Sequence, residues 1–131
     1  MLIRKLLDPA RVRKIQGSFS WVDHRFITGG FLADLSAIEI LLYLFLVAVS
    51  DRNGISFYHQ DKIASLLKID LASLGKAREG LIQRSLLAYE PPLYQILSLP
   101  ARPVAPLPPE EITARERQAA LQAIRRIQEA L

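Results

Sequence analysis

Residues 35–50 read LSAIEILLYLFLVAVS, and this run constrains the fold more than any other. It is long enough for four helical turns and apolar almost all round, as in a helix packed on every side at the centre of a small domain. Its most hydrophobic part, Ile40 to Val49, has ten residues, against the roughly 18–20 that a membrane span needs. The run is therefore expected to be a buried core helix, with no membrane partner. Ser36 followed by Glu39 makes a capping-box pattern, with Asp34 as a competing N-cap.

Other elements follow from local chemistry. DRNG at 51–54 is a stop and a turn, with Asn53-Gly54 able to take positive φ, and ISF then reads as a short strand. His59 to Lys68 places Ile63, Ala64, Leu66 and Leu67 on one helical face. After Ile69 and the capping residue Asp70, a helix runs from Leu71 to about Arg84, with Leu74, Ala77 and Leu81 as its apolar stripe. Leu86 to Tyr89 and Leu93 to Leu99 read as strands. Glu90, Pro91 and Pro92 between them predict a loop wider than the two-residue Asn-Gly hairpin. Upstream, Phe19 and Trp21 stand two apart, predicting an extended segment with one buried face, and Gly29-Gly30 marks a turn. Downstream, PARPVAPLPP at 100–109 is a stiff linker, and a helical pattern returns from Glu110 to Leu131.

Helix, short strand, helix, tight turn, helix and two strands is the order of a winged helix-turn-helix. The stretch LLYLFLVAVSDRNGISFYHQDKIASLLKIDLASLGKAREGLIQRSLLAYEPPLYQILSL resembles the winged-helix domains of bacterial replication initiators and transcription regulators. NGISFYHQDKIASLLKID is similar to their turn, strand, second helix and turn, and GLIQRSLLAY to the end of their third helix running into the wing. The expected fold is mainly α with a small β wing, of the α+β class. It divides into an arm and extended segment (1–34), a winged-helix domain (35–99), a linker (100–109) and a C-terminal amphipathic helix (110–131). The lack of cysteine and of a secretory pattern in MLIRKLLDPARVRK predicts a cytoplasmic protein, and the resemblance implies that it binds double-stranded DNA in regulation or replication.

In such domains the third helix enters the major groove. With Leu74 inward and about 100° per residue, the outward positions are Ala72, Lys76, Glu79 and Gln83, flanked by Ser73 and Gly80. Arg78 falls nearer the buried side. Ser73, Lys76 and Gln83 can bond a base or phosphate, and Arg84 can assist. Phosphate contact is also expected from Lys62 and from His59 at the start of the second helix. The net charge of +4 matches that of residues 1–14 alone, where Arg4, Lys5, Arg11, Arg13 and Lys14 outnumber Asp8. The central module is neutral, so the arm is expected to supply most of the charge neutralisation.

Ala120, Ile124, Ile127 and Leu131 form a four-three-four stripe expected to pair two copies of the chain. Docking back onto the domain is the alternative. Phe19, Trp21 and Phe26 are expected to pack the N-terminal segment onto the domain, the alternative being a stacking platform for single-stranded nucleic acid. The absence of cysteine excludes disulfides and thiolate chemistry. Asp23-His24-Arg25 has no nucleophile placed with it, and the two histidines are too far apart in sequence to suggest a metal pair. No enzyme, cofactor or small-molecule ligand is expected. The main alternative function is a winged-helix adaptor that binds protein, favoured by apolar Leu71 and Ala72 and by the uncharged prolines of the wing.

Overall fold

The computed structural model describes residues 4–106 and, beyond them, Gln118, Leu121, Gln122 and residues 124–126. The chain is a mixed α+β protein. Its elements run α1 (Arg25–Thr28), α2 (Ala37–Val49), β1 (Ile55–Phe57), α3 (Gln60–Leu67), α4 (Leu71–Gln83), β2 (Leu87–Glu90) and β3 (Leu93–Ile96), with 3-10 turns at Pro9–Arg11 and Leu32–Asp34. The strands form one antiparallel sheet in the order β1-β3-β2. β3 lies centrally, pairing Phe57 with Leu93 on one side and Tyr89 with Tyr94 on the other.

Both long helices begin where side chains satisfy their orphan amides. Ser36, not Asp34, caps α2: its Oγ accepts from the Glu39 N–H at 3.2 Å, while Glu39 Oε1 accepts from the Ser36 N–H at 2.8 Å. Asp34 lies instead in a 3-10 turn. Asp70 caps α4 through its Oδ1 and the Ser73 N–H at 2.6 Å, and the Ser73 side chain together with this N–H holds its carboxyl below the usual range. Lys68 closes α3 in the left-handed region at φ 59°, which turns the chain within Lys68–Asp70. Helix α2 packs chiefly against α4. Leu42, Leu46, Ile63, Leu74, Leu81, Leu86, Leu87 and Tyr94 are fully buried between the helices and the inner face of the sheet.

Several expectations are corrected. The loop between β2 and β3 is only two residues, since Glu90 pairs with Leu93. The Pro91–Pro92 peptide is cis, and neither proline takes the positive φ of an Asn-Gly turn. At 51–54 only Gly54 takes positive φ (84°), and a Cβ there would stand 2.5 Å from the Ile96 carbonyl oxygen. Leu66 is exposed because α3 seats Ile63 and Ala64 in the core, which turns Leu66 to the flank.

Phe19 and Trp21 are exposed rather than buried. Of the three aromatics expected to pack the N-terminal segment, Phe26 alone is in the core, stacked on Tyr43 with ring centroids 4.3 Å apart, and Phe31 joins it there. The linker has no regular structure over its described part. It is tied to the domain where the Arg25 guanidinium donates to the Pro100 carbonyl at 2.6 Å. Gln118, Leu121, Gln122 and residues 124–126 are helical and exposed. Of the expected pairing stripe, Ile124 is among these, while Ala120, Ile127 and Leu131 lie outside the described residues. Among the described residues no helix is long and apolar enough to cross a membrane.

Candidate nucleic-acid interface

Helix α4 buries Leu74, Ala77 and Leu81 and turns Ala72, Lys76 and Glu79 to solvent. Three- and four-residue steps produce both faces, because a helix rotates about 100° per residue. Ser73, Lys76, Gln83 and Arg84, the four expected reading residues, do come together. They line a groove between α4 and the start of α2, together with Ser36, Glu39 and Gly80.

This groove contains an acidic group, the Glu39 carboxylate, whose presence has no local signature in the sequence. Glu39 Oε2 lies 3.8 Å from Arg84 Nε, and both side chains are largely buried. The Arg84 charge is thus partly satisfied within the fold and is a weaker candidate for phosphate than exposed Lys76. Gly80 permits the approach, since a Cβ at that position would collide with the Glu39 carboxylate. A glycine inside a helix was the available signal, because such positions often mark close approach by another group.

Arg78 faces the sheet. Its Nη1 donates to the Tyr94 hydroxyl at 3.3 Å, and its guanidinium lies 4.4 Å from the centroid of the Tyr89 ring. Burial pushes the Tyr94 phenol up, with Arg78 pulling the other way. This cluster joins α4 to β2 and β3 and withdraws Arg78 from the outer surface.

No family model, curated protein or solved structure matches this chain. The geometry alone therefore bears on the site.

At the start of α3, His59 acts as the N-cap: its Nδ1 accepts from the Asp61 N–H at 3.2 Å. The Asp61 carboxylate also stands 3.3 Å from Nδ1, so a phosphate arriving there would meet a like charge. Lys62, one residue further on, is exposed. In the arm, Asp8 caps the Pro9–Arg11 turn by accepting from the Ala10 N–H at 3.1 Å. Arg4, Lys5, Arg11, Arg13 and Lys14 are all exposed. Among the described residues the one Lys/Arg–carboxylate pair is Arg84–Glu39, so none of the five arm cations has a carboxylate partner there. Lys62 and Lys76 are likewise unpaired among them. Also among the described residues, no group of three or more His, Asp and Glu side chains is placed to hold a metal ion.

Proposed function

We propose that the chain is a winged helix-turn-helix protein that binds duplex DNA, with α4 in the major groove and the N-terminal arm along the backbone. The observation that carries the reading is the set of five exposed arm cations without a carboxylate partner among the described residues, joined by Lys62 and Lys76 on the helical pair. Phosphate neutralisation supplies most nucleic-acid affinity, and exposed unpaired cations provide it without first breaking an ion pair. The order of helices and the β1-β3-β2 sheet support the assignment of α4 as the reading helix. Lys76 is its one exposed cation, so α4 orients the protein while the arm provides affinity. Pairing of two copies through the C-terminal helix would double the contact.

A second reading, a protein-binding adaptor, is favoured by apolar side chains left in solvent. Leu66 and Leu71 are about half exposed beside the turn between α3 and α4, and Phe57 pairs with Leu93 on the outer face of the sheet. Mobility-shift titration of a random duplex separates the two readings. Lys76→Ala is expected to weaken binding several-fold and to reduce the log–log salt slope by about 1, whereas Leu71→Asp should do little. Loss of a partner with Leu71→Asp, alongside unchanged duplex binding by Lys76→Ala, would favour the adaptor.

A further inference from the structure

Residues 18–23 run, without helix or strand, beside the end of α2 and the turn that follows it. Ser20 points inward, its hydroxyl donating to the Ser50 carbonyl at 2.9 Å and to that of Ala48 at 3.4 Å. The aromatic rings on either side of it point out: Phe19 is 69% exposed and Trp21 68%. Both line one groove of about 1010 Å³, which Arg52 and Asn53 also line. In extended chain, residues two apart are separated by about 6.6 Å, close to twice the 3.4 Å base spacing of a nucleic-acid strand. Two such rings can hold one planar base between them or carry two in succession.

The groove also contains Asp23 and Asp51, but their carboxylates are engaged by local backbone. Asp23 accepts from the Arg25 N–H at 2.8 Å, and Asp51 accepts from those of Asn53 and Ile55 at 2.8 and 3.0 Å. Arg52 has no carboxylate partner among the described residues. Exposed Arg13 and Lys14 precede Phe19 by only a few residues. Outward aromatic rings, with one cation in the groove and two a few residues away in the chain, all unpaired among the described residues, form the pattern that binds single strands with little sequence preference.

We propose that the Phe19–Trp21 groove binds a single strand of nucleic acid, with bases stacked on the two rings and adjoining phosphates held by Arg52, Arg13 and Lys14. This site is separate from the α4 surface proposed for duplex and shares with that reading only the arm cations Arg13 and Lys14.

Trp21 is the sole tryptophan, so its fluorescence reports directly on the site. The full chain is titrated with oligothymidylate, oligouridylate and a random duplex of equal length. Single strands are expected to quench Trp21 more strongly than the duplex does, and preference between the first two distinguishes DNA from RNA. Phe19→Ala should weaken single-strand binding at least about fivefold, while Lys76→Ala leaves it unchanged. Labelled-oligonucleotide anisotropy with Trp21→Ala should show a comparable loss, and both rings lie outside the core, so the fold is retained. Absence of quenching by either single strand, equal quenching by duplex, or indifference to Phe19→Ala would overturn the proposal. So would a Trp21 signal set by protein concentration alone, which would mean that a second copy covers the groove. Quenching that persists when duplex binding is absent would instead defeat only the duplex reading.

Discussion

Gly80 lies where α4 meets the first turn of α2, and the Glu39 carboxylate occupies the space a side chain would need. Glu39 is doubly committed, to the Ser36 N–H and to Arg84. Gly80→Ala should therefore destabilise the protein by about 1–2 kcal/mol, although alanine favours a helix by about 1 kcal/mol. With Glu39→Ala already in place, the same change should stabilise by about 1 kcal/mol, since only helix propensity remains. Denaturant unfolding of the four proteins in the cycle measures this, and additive effects would show that the two residues do not interact. Half of this arrangement was legible in the sequence. The capping box is a three-residue pattern, readable from Ser36 and Glu39 themselves, but the second contact of Glu39 is with a residue 45 positions away and has no local signature.

At the scale of elements, the turn between α3 and α4 fixes their mutual geometry. Lys68 adopts φ 59° there, in a region that favours glycine because a Cβ crowds the following carbonyl. Lys68→Gly should raise stability by about 0.5–1 kcal/mol, after allowing for the greater freedom of glycine in the unfolded chain. An unchanged or lower denaturant midpoint would show that Lys68 makes compensating contacts. The helices on either side were readable because Asp70 and the Leu74, Ala77, Leu81 stripe agree on where α4 starts and which way it faces. The loop between β2 and β3 was not, because Pro91 and Pro92 lack the positive φ by which an Asn-Gly hairpin announces a two-residue turn. The N-terminal segment misled for a different reason. Alternation at Phe19 and Trp21 says that both rings share a face, but not whether that face meets protein; Phe26 and Phe31 had already filled the core.

For the whole molecule, charge is divided between a neutral module and a basic arm. Residues 35–99 carry six basic and six acidic side chains, whereas residues 1–14 carry five basic and one acidic. Within the module Glu39 offsets Arg84, and Asp61 stands beside His59, so two of the expected phosphate contacts are partly answered internally. The proposed duplex binding therefore rests on the arm more heavily than on the reading helix. Its most direct measurement is the salt dependence of duplex affinity for the full chain and for a chain lacking residues 1–14. Loss of five phosphate contacts should weaken binding and flatten the log–log slope by about 4 units. An unchanged affinity and slope would contradict the account.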